Sequence, residues 1–592
     1  MNAPATTDRV PTLRQRKRVR RSFTWTPRRE LLLVAALVAV AVATRWPYLM
    51  RLPHFTDETV EIRWAMEIWR GQRLPLTASD AYYGPLHAYI VAASLWLFGP
   101  HVILPRLIVM VIGALTVGAT YLLGRELAGR LAGVLGATLL ATNAQHIVVN
   151  SHVAWQNSTT PFYATICCWS LIRALNLATA RDAQNLACAG PEHGTKQSAW
   201  DRGGRWLVLS GFCYGLTLQT HVGTIVLAPA LAASFGCVVI QRRAWGWLRG
   251  PWPYTAVLAA IVGYAPVLIY NVTHRLAGIV RVQTRRNYAY VGDPSWASYG
   301  HNLRNLLLEL ARMISNPFRI PVRQFDYLTS PYMLLAVALT VLGLLVLARR
   351  GHWLPLLAVA STAAIMPYFN HAYGVEGDRY FLTGRYIAFL LPLLAVASAI
   401  AVLTLARWCT AAMPHRWHGL ALRDAAAVAP VVLTGLLVLY PLLPLERYYT
   451  HEATKDPDNA SFLETLQVVD TLRGPRTPVL LDAYFNKIDL NDGAEALDIL
   501  DLLLTLHRVP HQIVADPGAA LRALEPTLDP NNPESLPLVI MPRDRCWPLR
   551  DELPLQRVSD TLLLNELYRY YAVYRYAPPP EPAACRTAGD RR

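Results

Sequence analysis

Apolar stretches of about 20 residues, each long enough to cross a bilayer as a helix, recur along this chain from Leu31 to Leu445. No other feature limits the fold as severely. In hydrocarbon every backbone N–H and C=O must be satisfied within its own segment, which leaves helices. The composition agrees: of 592 residues, 53% are hydrophobic and only 16% charged, with a mean hydropathy of +0.24, which excludes an ordinary soluble enzyme. The runs fall at Leu31–Leu49, Val102–Gly124, Leu131–Val149, Thr160–Leu175, Tyr254–Val272, Pro331–Leu347, Leu354–Tyr368, Ile387–Leu405 and Val428–Leu445, with a helical hairpin expected over Trp206–Ile240, folded at Gln219–Gly223. With a shorter piece, Pro85–Phe98, they give about 10–12 crossings and no visible internal repeat. The expected fold class is a polytopic α-helical membrane protein.

Charge orients the chain. The net charge is +16, yet the last 147 residues hold 23 Asp and Glu against 16 Lys and Arg, so the membrane part carries the whole excess. Such arginines suit membrane surfaces and phosphate-bearing ligands, and no nucleic acid is implied; a nucleotide bias of the genome accounts for their abundance equally well. Arg14, Arg16, Lys17, Arg18, Arg20, Arg21, Arg28 and Arg29 precede the first run, which makes residues 1–29 a basic cytoplasmic tail. Ala41-Val42-Ala43 has the spacing of a signal cleavage site, but the long polar lead and the many later spans argue for a retained anchor.

Residues 30–445 then form the transmembrane module, with outer loops at 50–84, 273–330 and 369–384. The parity of residues 85–130 stays open: either the 85–98 piece is re-entrant and the Arg125–Arg130 turn is cytoplasmic, or it spans and that turn lies outside. Two helices are expected to lie at the membrane surface, one with Val60, Trp64, Ala65 and Ile68 on its apolar face, the other with Leu303, Leu306, Leu307, Leu310 and Ile314. The 273–330 loop holds eight arginines, an excess that points to an anionic ligand.

From Glu446 onward the texture changes. Strands are expected at Pro478–Ala483, His511–Ala515 and Leu536–Met541, and helices at Ala460–Leu472, Ala494–Leu506 and Ala519–Leu524. Residues 446–592 thus read as a small extracytoplasmic α/β domain with a partly parallel sheet. None of the eight cysteines shows metal-ligand spacing. Cys546 and Cys585 are expected to pair if the compartment is oxidising.

Three constellations carry candidate chemistry. Asp57-Glu58 puts two carboxylates at the edge of hydrocarbon, where acids are costly unless used or paired; capping of the following helix is the plainer reading. His54 lies just ahead of them. Tyr82-Tyr83-Gly84-Pro85-Leu86-His87 opens the next apolar piece, as a turn with interfacial aromatics or as a substrate-contacting element. Arg379 and Gly384-Arg385-Tyr386 sit at the outer end of a late span, where an arginine either snorkels to headgroups or binds a phosphate.

On these residues the chain resembles the integral-membrane glycosyltransferases of the GT-C fold, near the protein O-mannosyltransferases and the lipid A aminoarabinose transferases. The likeness covers residues 31 to about 445: a first span, an Asp-Glu in the first outer loop, a helix at the surface, an aromatic-Pro-Leu start to the next apolar piece, and a late Arg-Tyr before a Pro-containing span. The resemblance implies a prokaryotic plasma-membrane enzyme that moves a sugar from a polyprenyl phosphate to a lipid, glycan or protein acceptor on the outer face, with inversion. It implies Asp57 as the essential acid with Glu58 beside it; His54, Tyr82, Tyr83, His87, Asn157, Arg379, Arg385 and Tyr386 are the candidate substrate contacts.

Two departures matter. Tyr83-Gly84 stands where relatives often have a second acid, and Asn157 where many have an Asp, so a divalent metal is without support. The chemistry requires no cofactor. A glycosyl phosphate already has a good leaving group, so one base and phosphate-binding cations suffice. The alternative is a transporter or flippase of a lipid-linked sugar, which usually shows internal repeats.

Overall fold

The computed structural model describes residues 26–50, 56–78, 81–187, 199–278, 280, 296–315, 331–369, 383–412, 432–442, 445, 457–475, 477–487, 489–490, 494–529, 532–542, 546, 549, 553–559, 562–563 and 570–576. The membrane module begins with α1 (Pro27–Arg45), capped by the Thr26 side chain, then α2 (Thr56–Trp69), α3 (Leu86–Phe98) and α4 (Ile103–Ala128). It continues with α5 (Arg130–Ala141), α6 (Ala144–His152), α7 (Gln156–Ala187), α8 (Ala199–Thr220), α9 (Leu227–Gln241), α10 (Trp252–Gly263) and α11 (Ala265–Thr273). Last come α12 (Trp296–Ser315), α13 (Pro331–Arg349), α14 (Leu354–Phe369) and α15 (Leu391–Ala412).

Among the described residues five helices are long and apolar enough to cross a membrane, or up to seven if each of two bent pairs is one span. The chain is therefore a multi-pass membrane protein. This count is below the 10–12 expected: α3 and α14 are short, and α7 opens on the polar run Gln156-Asn157-Ser158-Thr159-Thr160. One bent pair is α5 and α6, turned by 68° where Asn143 caps α6 by accepting from the His146 N–H. The other is α10 and α11, turned by 67° where Pro266 enters the first turn of α11 without an N–H to donate.

The expected hairpin over 206–240 is corrected. The chain does break at Gln219–Gly223, but α8 packs on α7 and α10 while α9 packs on α14. Glycine selects these neighbours. A Cβ at Gly211 would fall on the Ala256 carbonyl, and one at Gly343 of α13 on the Ala397 carbonyl of α15, so both backbones approach as only small residues allow.

Both expected amphipathic helices form, and each packs an apolar face on protein. The inner face of α2 is Glu58, Ile62, Ala65, Met66 and Ile68, and it is held between α3 and the C-terminal domain. Helix α12 buries Leu306, Leu310 and Met313 against the module. Its Asn302 side chain donates to the Pro367 carbonyl at 2.9 Å.

The C-terminal domain carries α16 (Pro457–Leu472), β1 (Val479–Asp482), β2 (Asp489–Leu490), β3 (Ala494–Glu495), α17 (Ala496–Leu506), β4 (Gln512–Val514), α18 (Pro517–Leu524), β5 (Leu538–Pro542), β6 (Leu555–Arg557), β7 (Leu562–Leu563) and β8 (Tyr570–Tyr576). The sheet order is β4-β1-β5-β8-β6, with β7 also on β8; β1 is parallel to β4 and β5, and β8 is antiparallel to β5. Side chains alternate across it: Leu481, Leu538, Ile540 and Val573 pack under α16 and α17, and Leu480, Val539, Met541 and Tyr574 face α18. Cys546 is disulfide-bonded; Cys585 lies outside the described residues.

The domain docks on the module through α17. Leu502 and Leu506 join the α2–α3 cluster, the Val102 N–H donates to the Leu506 carbonyl, and Arg508 donates to the Pro100 carbonyl at 2.8 Å. Arg70, just after α2, lies 3.5 Å from Asp501, whose other oxygen meets His511 at 2.9 Å. The first loop and the C-terminal domain therefore lie on one side of the module.

Candidate active site

The site is built outward from α2. Glu58 and Arg106 of α4 are fully enclosed and bonded as a fork, Nε to Oε1 at 2.8 Å and Nη2 to Oε2 at 2.9 Å. Glu58 Oε1 also accepts from the Ala154 N–H, and Glu61 one turn later accepts from the Gln156 N–H at the start of α7, where the helix dipole favours a carboxylate. These two acids fasten residues 154–156 to α2. Both oxygens of Glu58 are engaged in this enclosed ion pair. Asp57 is in the first turn of α2; its side chain, like His54 and Arg379, lies outside the described residues.

Four segments meet beside this anchor. The turn at 81–84 is stitched in place by Asn271, which donates to the Ala81 carbonyl, by Tyr264, whose hydroxyl donates to the Tyr82 carbonyl at 2.8 Å, and by the Gly84 N–H on the Gln219 carbonyl at 2.9 Å. The His221 ring lies 6.1 Å from Tyr83 and 5.2 Å from Tyr386. Arg385 donates to the Tyr386 hydroxyl at 2.9 Å and stacks over Trp155, 4.1 Å from its ring centre. Tyr83, His221, Tyr386, Arg385 and Trp155 thus form one continuous row, with Tyr82 4.6 Å from Tyr83.

Around it several buried polar atoms have no hydrogen-bond partner among the described residues: Gln156 Nε2, Asn157 Oδ1, Thr160 Oγ1, Gln219 Oε1 and His221 Nδ1. Buried polar groups are nearly always satisfied, so such a set marks where water or a ligand belongs. His87 is buried at the first turn of α3, near the Glu58 carboxylate, on the anchor side of the site rather than in the aromatic row.

A side chain at position 84 would collide with Gln219, which occupies that space and donates to the Gly263 carbonyl. An amide from α8 fills the space beside Gly84. Among the described residues no three His, Cys, Asp or Glu side chains are grouped to hold a metal ion.

Sequence reasoning missed Arg45, Arg106, Gln219 and His221 as parts of this region. Arg45 is wholly buried: it donates to Ser151 and to the Ala41 and Ala141 carbonyls and meets His146 at 2.8 Å. An ionisable residue inside an apolar run was the available signal.

No family model matches the sequence, and no curated protein matches it. Among solved structures the fold is similar to ArnT from Cupriavidus metallidurans bound to undecaprenyl phosphate, at 14% identity and a TM-score of 0.52, over 93% of this chain and 99% of that one. The apo state of the same protein gives 15% and 0.51, over 92% and 97%. The fold is GT-C-like across nearly the whole of both chains; identity this low speaks to the fold alone.

Proposed function

We propose that the chain is a glycosyltransferase that moves a sugar from a polyprenyl-phosphate donor to an acceptor hydroxyl on the outer face of a prokaryotic plasma membrane, with Asp57 as base. The observation that carries it is the row Tyr83–His221–Tyr386–Arg385–Trp155, set among unsatisfied buried polar atoms. It combines a guanidinium for phosphate with aromatic faces and amides for a sugar. ArnT, the structure this fold resembles, is one that binds undecaprenyl phosphate, and a polyprenyl phosphate is the donor class proposed for this chain.

The acceptor oxygen attacks the anomeric carbon as the bond from that carbon to the phosphate oxygen breaks. The hydroxyl proton passes to the Asp57 carboxylate, and the electron pair leaves on polyprenyl phosphate, whose charge Arg385 receives. In-line displacement inverts the anomeric centre. Glu58 is committed to Arg106, which leaves the proton to Asp57. Glu58 then fixes the start of α2 instead of sharing the proton. His54, Tyr82 and Asn157 remain proposed substrate contacts, and Arg379 a second phosphate contact.

Mass spectrometry of envelope glycans, glycolipids and glycoproteins with and without the gene tests the reading. The expected result is one sugar missing from one acceptor class, while its polyprenyl-phosphate donor accumulates on the outer leaflet. Donor trapped on the inner leaflet would support the flippase instead.

A further inference from the structure

A second basic site lies away from the aromatic row, where two candidate spans end. Helix α9 stops at Gln241 and α13 at Arg349, each followed by a left-handed residue, Arg243 at φ 51° and Gly351 at φ 85°. Arg242, Arg243, Arg349 and Arg350 cluster at these ends, and none of them forms an ion pair among the described residues. Two helix C-termini bring only about −0.5 charge each, so four guanidinium groups exceed what the dipoles require. A nearby carboxylate, Glu126, accepts from Asn176 but is already paired with Arg125 and Arg173.

Two adjoining cavities open here. The smaller, about 120 Å³, is lined by Asn176, Gln241, Arg242, Arg350, His352 and Trp353. At roughly 10–15 Å³ for a water, it has room for a group of several heavy atoms. The larger, about 560 Å³, shares Gln241, Arg350 and Trp353 and continues past Arg349 to Leu345, Ala348 and Leu356. Trp353, common to both, has a buried indole N–H with no acceptor among the described residues. A charged, donor-rich chamber therefore leads into an apolar cleft beside the exposed Leu345.

We propose that these joined cavities bind an anionic phospholipid, its headgroup phosphate held by Arg242 and Arg350 and its acyl chains running out along Leu345 and Leu356. A zwitterionic headgroup fits worse, because its ammonium would sit among the same arginines. The apolar cleft favours a lipid over free phosphate.

The test uses the delipidated full-length protein in detergent. Short-chain phosphatidylglycerol, phosphatidylcholine and inorganic phosphate are added in parallel, with binding read by native mass spectrometry and thermal shift. The expected result is binding of phosphatidylglycerol, weakened about fivefold by Arg242→Gln and again by Arg350→Gln, with the unliganded melting temperature unchanged. Equal binding by inorganic phosphate would reassign the site to a free anion. Phosphatidylcholine binding as well as phosphatidylglycerol, no phosphatidylglycerol binding, or binding that both variants leave intact would overturn the proposal.

Discussion

The module holds two polar groupings of opposite character. Around Arg45, Glu58 and Arg106 every charge is enclosed and engaged: Arg106 forks onto Glu58, and Arg45 is held by Ser151, His146 and two carbonyls. Around His221 and Arg385 the groups are more open, and amide, imidazole and hydroxyl atoms stay unsatisfied. Charge buried inside a membrane protein is therefore not by itself a sign of chemistry. Charges paired in this way fix helices; unpaired donors and acceptors beside aromatic rings leave room for a ligand's polar groups.

The first grouping should fail as a structure when broken. Arg106→Met leaves Glu58 buried and unpaired and should cost roughly 3–5 kcal/mol, seen as loss of folded protein in detergent. Glu58→Gln with Arg106→Met should recover much of that, and equal damage from the single and double variants would refute the scaffold role. The second grouping should fail as a binder. Arg385→Ala should raise KM for the donor about 10- to 100-fold, as expected for a lost charge-assisted hydrogen bond of roughly 1.5–3 kcal/mol, with melting temperature little changed.

Gly84 lies between the two. Gly84→Asp should not restore a second acid but destabilise the protein by roughly 1–3 kcal/mol through overpacking, and Gln219→Gly should relieve part of it. An active, stable Gly84→Asp protein would show that Gln219 can move.

The smallest effect concerns the docked domain. Burial alone would raise the Asp501 carboxyl, but the His511 hydrogen bond and the Arg70 charge outweigh it and hold it below the usual range. A depressed carboxylate contributes stability above its unfolded value, about 3.9, that is lost as pH falls through the folded one. Protection factors in α17, with the intrinsic pH dependence of exchange divided out, should thus be flat from roughly pH 8 to 5 and fall only below about 4, and Asp501→Asn should cost up to ~1 kcal/mol.

Much of this fold is legible in the sequence because hydrocarbon length and strand burial leave plain marks. The strands Val479–Asp482 and Gln512–Val514 fall inside the expected apolar runs, and Leu538–Pro542 overruns its own by one residue. Strand β8, YYAVYRY, escapes because both of its faces are buried, which erases the period of two. Asp57-Glu58 stands out by position, yet the role of Glu58 does not, since its partner Arg106 lies 48 residues away inside an apolar run. His221 is hidden for a similar reason: Gln219–Gly223 reads as a turn, and only packing sets it between Tyr83 and Tyr386.

The proposed transfer depends most directly on Asp57. Purified wild-type and Asp57→Asn proteins, in nanodiscs loaded with polyprenyl-phosphate sugar and an acceptor from the cognate envelope, are compared by mass spectrometry of the product. The prediction is a loss of about 10²- to 10⁴-fold in transfer with unchanged folding and donor binding. Transfer at the wild-type rate by Asp57→Asn would contradict it.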